Sequence, residues 1–440
     1  MNFNRFFELA KEKGITESQI LVGKASSISI SLFHHEIDTY KVTSSQSISA
    51  CGIYNGKYGS ASTEKLGAGT FEYLIDKIIE NATYSEKSDS VGIFPGSKKY
   101  KKGSVYSKAL DETPIREKLA LLKKVEDDIY AADPRVTEAD GVNYKESSSE
   151  TIFHNSYGLK LKQKSNYFSI TGGAVLRQGD ETKTNYEFFL DNDLAKFDEP
   201  KFVGKIIAGA SRKFGGIQCA SGKYPTILCP DVAADLTDYF LGACVADSVQ
   251  RHSSFLEGKL GQKVASSKVS IQEKPLCRNV YFSYFDGEGV ACTNKDVIKN
   301  GKLMTYFYNR ETAKKDGVET TGNAFWGGGK IGTAFGNVFV KPGKKSFDEL
   351  IFDIKEGVYI TDVAGLQTGM NANSGDFSCQ AEGFLIKDGK LDKPLNLITL
   401  SGNLLKMFLD CQGFASDVLL TGDSISIASM RIKSMSIGGK

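Results

Sequence analysis

Gly215-Gly216-Ile217-Gln218-Cys219-Ala220-Ser221-Gly222 is the stretch at which the chain changes character. Small, permissive residues here interrupt both helical and strand periodicity, as they do between folding units. Before it, helix patterns and strand patterns alternate in long blocks. After it comes one helix pattern, roughly Asp231 to Gln250, and then a glycine-rich chain with many short strand patterns. The reading is an α+β fold, with an N-terminal α+β domain over residues 1–220 and a β-rich C-terminal domain over 221–440. The boundary falls near 215–225.

Toward the N-terminus, Phe3, Phe6, Phe7 and Ala10 recur at helical spacing. Ser27 to Phe33 alternates strictly and predicts a strand with one buried face, and Ile48 to Tyr54 predicts another. Asn55-Gly56 follows, a pair suited to the two positive-φ positions of a type I′ hairpin. Phe71, Leu74, Ile75, Ile78 and Ile79 predict an amphipathic helix, and residues 83–109, rich in Ser, Lys and Gly, predict a loop or flap. Thr113 as N-cap and Pro114 at the first helical position open a helix carrying Ile115, Leu119, Leu122 and Ile129, ended by Pro134. Strands at Thr151–His154, Leu159–Lys164 and Phe168–Val175 precede a helix from about Pro200 to Phe214. Asn300-Gly301 and Asp388-Gly389 are two further hairpin signals.

The 440 residues exceed one core. A net charge of +2, from 55 basic and 53 acidic residues, leaves no footprint for a nucleic-acid binder. Met1 to Leu9 carries charges where a secretion signal needs an apolar run, and no stretch of about 18 apolar residues occurs to span a membrane. The eight cysteines are scattered without C-x-x-C spacing, and read as free thiols in a reducing compartment. The expected location is cytoplasmic.

Candidate chemistry is sparse. Histidine occurs only at 34, 35, 154 and 252, without H-E-x-x-H or a Cys/His cluster. His34-His35-Glu36 reads as a strand end, where neighbouring side chains point to opposite faces. His252-Ser253-Ser254 pairs a base with hydroxyls in sequence, but adjacency alone does not make a nucleophile. Asp286-Gly287-Glu288-Gly289 sets two carboxylates in a tight turn, able in principle to work as acid and base or to hold a divalent ion. Gly327-Gly328-Gly329-Lys330 after Trp326 lacks the P-loop pattern; its open backbone suits close packing or pairing with an extended peptide.

An ordered set of motifs resembles the TldD/PmbA family over most of the chain. It runs from Gly56–Thr63 and Asn155-Ser156-Tyr157-Gly158 to Ser253-Ser254-Phe255-Leu256-Glu257-Gly258 and Phe285-Asp286-Gly287-Glu288-Gly289-Val290. Asp296–Leu303, Thr321-Gly322-Asn323-Ala324, Ser374-Gly375-Asp376-Phe377-Ser378, Ala381-Glu382-Gly383 and Ser401-Gly402-Asn403-Leu404 continue it in order. The resemblance implies a barrel-like C-terminal domain, assembly as dimers and a metallopeptidase scaffold. TldD-type members carry H-E-x-x-x-H on the helix before the Ser-Ser segment, with a Cys from near the C-terminus completing the zinc site.

In this chain Asp238, Tyr239 and Ala243 stand at the places of His, Glu and His, and Leu420-Thr421-Gly422-Asp423 offers no thiol. The resemblance therefore places the chain on the PmbA/TldE branch, with no catalytic or metal-binding residue and no cofactor of its own. Zinc is expected in a TldD-type partner. The expected partners are that subunit or a second copy, with an unfolded peptide as substrate, and neither nucleic acid nor membrane. Asn323, Gly327, Gly328, Gly329, Asn373 and Ser374 are the candidate chamber-lining residues, within the wider segments 327–330 and 371–375. Alternatives are a peptidase with an acidic metal site built from Asp238, Asp286 and Glu288, a non-enzymatic regulator of the DNA gyrase modulator type, and a stand-alone peptide-binding homodimer.

Overall fold

The computed structural model describes residues 2–85, 91–327 and 330–440. Gly328 and Gly329, two of the candidate site residues, and part of the expected 83–109 flap lie outside these. Helix α1 (Phe3–Glu12) leads into a six-stranded antiparallel sheet: β1 (Ile15–Phe33), β2 (Glu36–Tyr54), β3 (Lys57–Thr63), β4 (Val136–Asn155), β5 (Lys160–Gln178) and β6 (Glu181–Asp191). Its order is β3-β2-β1-β4-β5-β6. Helices α2 (Thr70–Tyr84), α3 (Lys108–Glu112), α4 (Ile115–Ala132) and α5 (Glu199–Ser211) complete this half. Ile30, Tyr144, Phe168 and Ile170 meet Leu122, Val125, Ile129 and Ile206 of α4 and α5 in one buried cluster. Each such side chain contributes about 1.5–3 kcal/mol. The opposite face is polar in its middle, where Ser27 bonds Thr43 and Ser149 bonds Ser165, and apolar at one end, where Phe153 and Leu161 pack on Phe282, Tyr284 and Phe285.

Asn55 and Gly56 take φ of 49° and 77°, Asn300 and Gly301 48° and 82°, and Asp388 and Gly389 46° and 74°, so all three expected hairpin turns form. Four differences from the sequence reading have local causes. His34 and His35 are not a strand end; with φ of 50° and 65° they are the turn joining β1 to β2. Thr113 does not cap α4: Pro114 does, while the Thr113 hydroxyl donates back to Ala109 at the end of α3. β1, β2, β4 and β5 are 19 or 20 residues long where short strands were expected. Residues 36–45 of β2 are exposed throughout, so no alternation marks them. The expected helix from 231 to 250 is two, α6 (Pro230–Gly242) and α7 (Ala246–Gln250), with Ala243 capping the first.

The C-terminal half opens with β7 (Gly222–Leu228), which joins a closed barrel with strands Glu356–Ala364, Asp376–Lys387, Lys390–Asn403 and Met430–Gly438. β7 runs parallel to Glu356–Ala364, and every other pairing is antiparallel, the last closing Leu400 against Ile437. The expected β-rich, barrel-like domain is what the structure shows. Helix α6 lies on this barrel with Val232, Leu236, Phe240 and Leu241 buried. Helix α8 (Arg310–Asp316) begins with Asn309 in a capping box with Thr312.

Candidate functional site

A cavity of about 360 Å³ opens between the end of the N-terminal sheet and the C-terminal half. Leu21, Thr151 and Gln163, from β1, β4 and β5, form one wall. Asp286, Asn323, Trp326 and Tyr281 face them from the other half. The two halves are bonded around it. Gln163 donates to the Phe282 carbonyl at 2.7 Å and accepts from the Tyr284 N–H at 3.2 Å. Gln19 and the Trp326 indole both donate to the Gly287 carbonyl, at 3.2 and 2.7 Å.

The turn at 286–289 is buried rather than solvated. One Asp286 oxygen accepts from the N–H groups of Glu288 and Val290, each at 2.9 Å, and the other from Ala324 at 3.0 Å. Burial pushes Asp286 up to about 6 and Glu288 up to about 7, the latter aided by Asp286 itself. Asn323 is 5 % exposed and its amide is committed. It donates to Glu273 at 2.7 Å and to the Ala334 carbonyl at 2.9 Å, and accepts from Lys295 at 3.1 Å. Lys295 is also ion-paired with Glu273. Sequence reading did not find Glu273 or Lys295, whose meeting depends on strand pairing between residues 271–273 and 295–299.

The candidate residues do not all converge. Asn323 lines the cavity, and Gly327 follows Trp326 on a two-stranded ribbon, Ala324–Gly327 with Lys330–Thr333. Asn373 and Ser374 belong to another turn, capped by Asn371 and Asp376, next to Asn403; neither lines the cavity. His252 pairs with Glu257, and Ser253 and Ser254 donate to backbone carbonyls, so no base faces either hydroxyl.

The segment that the resemblance aligns with a zinc-binding helix is α6. Asp238 and Asp235 there both feel the charge of Asp423, whose loop does come over the helix. Asp235 is pushed up to about 6 by burial and by Asp423, Asp231, Asp238 and Asp362. This set supplies only carboxylate oxygens, without the nitrogen or sulfur donors of a structural or catalytic zinc site. The alternative set draws no support: three backbone N–H groups already hold Asp286, and the neighbouring charge that Asp238 feels is that of Asp423. Among the described residues no three or more His, Cys, Asp and Glu are arranged to hold a metal ion. The Tyr281 hydroxyl, donating to the Gly422 carbonyl at 2.7 Å, connects the cavity wall to this acidic loop.

Two family models match the sequence: the PmbA/TldA metallopeptidase central domain over residues 108–213 and the C-terminal domain over 221–439. The metalloprotease PmbA homolog of Haemophilus influenzae is 26% identical, over 98% of this chain and 94% of that one. Metalloprotease PmbA of Escherichia coli O157:H7 is 25% identical, over the same shares, 98% and 94%. Among solved structures, a putative modulator of a DNA gyrase from Thermotoga maritima superposes with a TM-score of 0.92 at 28% identity, covering 99% of each chain. TldE from Thermococcus kodakarensis, at 21% identity, shares the fold with a TM-score of 0.91 over 99% of this chain and 100% of that one.

Proposed function

This chain belongs to the PmbA/TldD metallopeptidase family, and on that premise we propose that it is a PmbA/TldE-type subunit without a zinc site of its own. It works with a TldD-type partner on unfolded peptides or peptide precursors, the partner supplying metal and base. The observation that carries this reading is the face of α6. At the places the resemblance assigns to His, Glu and His the chain has Asp238, Tyr239 and Ala243, and the loop 420–423, where the resemblance would look for a thiol, brings the charge of Asp423 to Asp238. Carboxylates that repel one another are raised in pKa and hold zinc poorly against water.

In this reading the cavity between the halves is one wall of a peptide chamber. Asn323 and the ribbon ending at Gly327 line it, and the turn at Asn373 and Ser374 shapes its approach. The ribbon pairs only with itself among the described strands, so its outer backbone groups suit an extended peptide. The location is the cytoplasm, in keeping with a partner of the same compartment. The test is metal analysis beside a peptidase assay, with and without a TldD-type chain. Activity only in the mixture, with no stoichiometric metal on this chain, is expected. Metal near one per chain with activity alone overturns the reading.

A further inference from the structure

We propose that residues 97–107, together with the start of β5, form a basic docking surface for an acidic stretch of extended polypeptide. The segment reads Ser97-Lys98-Lys99-Tyr100-Lys101-Lys102-Gly103-Ser104-Val105-Tyr106-Ser107, and its first residues have no helix or strand to hold them. Tyr100 holds them instead. Its hydroxyl donates to the Gly289 carbonyl at 2.7 Å and accepts from the Ser97 N–H at 2.9 Å. Its ring lies edge-on to Tyr284 at 6.4 Å. The lysines on either side are left exposed.

The rest of the segment is fastened along β5. Gly103 packs on the Phe282 ring so closely that a Cβ would lie 2.7 Å from it. Ser104 donates to the Lys164 carbonyl, and Asn166 exchanges two hydrogen bonds with Ser107, at 2.7 and 2.8 Å. Lys98, Lys99, Lys101 and Lys102 are thereby brought to the strand end that carries Lys160, Lys162 and Lys164. Of these, Lys162 pairs with Glu150 at 2.8 Å, a carboxylate that Lys24 shares at 3.2 Å. Lys98, Lys99, Lys101, Lys102 and Lys160 have no ion-pair partner among the described residues. In a chain of net charge +2 this is a local positive field, held in place against its own repulsion.

The kind of polyanion follows from what the surface lacks. Tyr100 points inward, and the Tyr106 ring is covered by the Lys164 ammonium at 3.6 Å, so neither offers a base a stacking platform. The surface is loop and strand end, with no helix to enter a groove. Lysine ammoniums meet the scattered carboxylates of an extended acidic peptide well. Gln163, between Lys162 and Lys164, lines the cavity from the opposite face of β5, so the lysine surface stands apart from the cavity and binding to it does not depend on the peptide reading of the cavity.

The experiment is fluorescence anisotropy on the whole chain, without any partner subunit. The probes are a labelled ten-residue Glu-rich peptide, its Gln analogue and a short DNA duplex. The Glu peptide is expected to bind, to weaken about tenfold between low and physiological salt, and to beat both other probes. Reversing Lys98, Lys99, Lys101 and Lys102 to Glu should cost at least about tenfold with an unchanged Tm. Lys108→Glu, on the neighbouring helix, is the control and should change little. No binding of the Glu peptide, equal binding of the Gln analogue, unchanged affinity in the reversed variant, or tighter binding of the duplex overturns the proposal. Activity with a TldD-type partner bears only on the peptidase reading, so the two fail separately.

Discussion

The backbone N–H of Arg310 donates to the carboxylate of Glu288 at 2.9 Å. The guanidinium of the same arginine reaches the other way, to the carbonyls of Val91 and Gly92 at 2.6 and 2.9 Å, with its plane near the Phe94 ring. One residue at the start of α8 thus ties the buried turn at 286–289 to the segment between α2 and α3 of the N-terminal half.

Arg310→Ala removes two charge-assisted bonds and leaves two half-buried carbonyls and the buried Glu288 without a cation. The expected loss is about 2–4 kcal/mol in urea unfolding. Hydrogen exchange should speed up at Ile93, whose N–H is held by Glu17 at 2.7 Å. An unchanged midpoint and unchanged exchange there would show that the tie carries no load.

Asp286 and Glu288 titrate in the folded protein at about 6 and about 7, both raised by burial, whereas in the unfolded chain they titrate near 4. Between about pH 4 and 7 the folded state binds more protons, so stability falls as pH rises through that window and levels off above it. Glu288 accounts for about 3 kcal/mol of the fall. Tm measured from pH 5 to 8 should decline in the parent, and Glu288→Gln should flatten most of the slope. Parallel slopes in the two proteins would reject this.

Glu273 is 3 % exposed and relies on Lys295 and Asn323. Lys295→Met strands a buried carboxylate and should cost about 3–5 kcal/mol. Asn323→Ala leaves the ion pair and should cost less, about 1–3 kcal/mol. Equilibrium unfolding of both variants checks the order, and the reverse order would contradict the geometry.

Gly383 sits where two barrel strands touch. A Cβ there would lie 1.9 Å from the Tyr359 carbonyl oxygen, a backbone atom that cannot step aside. Gly383→Ala is expected to lower stability by more than about 3 kcal/mol or to prevent folding. Gly56→Ala meets nothing within 4 Å but has φ of 77°, and should cost about 1 kcal/mol through strain alone. Tm values for the pair separate collision from strain.

Local chemistry made part of the fold legible. Asn-Gly and Asp-Gly pairs between alternating runs favour the two positive-φ positions of a tight turn, so three hairpins could be read from two residues each. The His34-His35 turn could not be, because nothing in a His pair announces a left-handed backbone. Buried helical faces such as Leu74-Ile75-Ile78 repeat at a period that sequence displays. The outer half of β2 displays none, since both of its faces meet solvent. At the site, Asn323 was found through its motif, but its role as a donor to Glu273 depends on a partner fifty positions away in sequence.

By itself the sequence determined which residues are available: four histidines, none on α6, with Asp238, Tyr239 and Ala243 at the places the family resemblance gives to His, Glu and His. It also determined the turns and the alternating faces, which depend on neighbours a few bonds apart. Tertiary structure alone decided what lies beside what. It closed the barrel by pairing Leu400 with Ile437, buried Asp286 and Glu288 until their protons bind more tightly, and laid the lysines of 98–102 along β5. Those outcomes turn on desolvation and on contacts between distant segments, which no local pattern records.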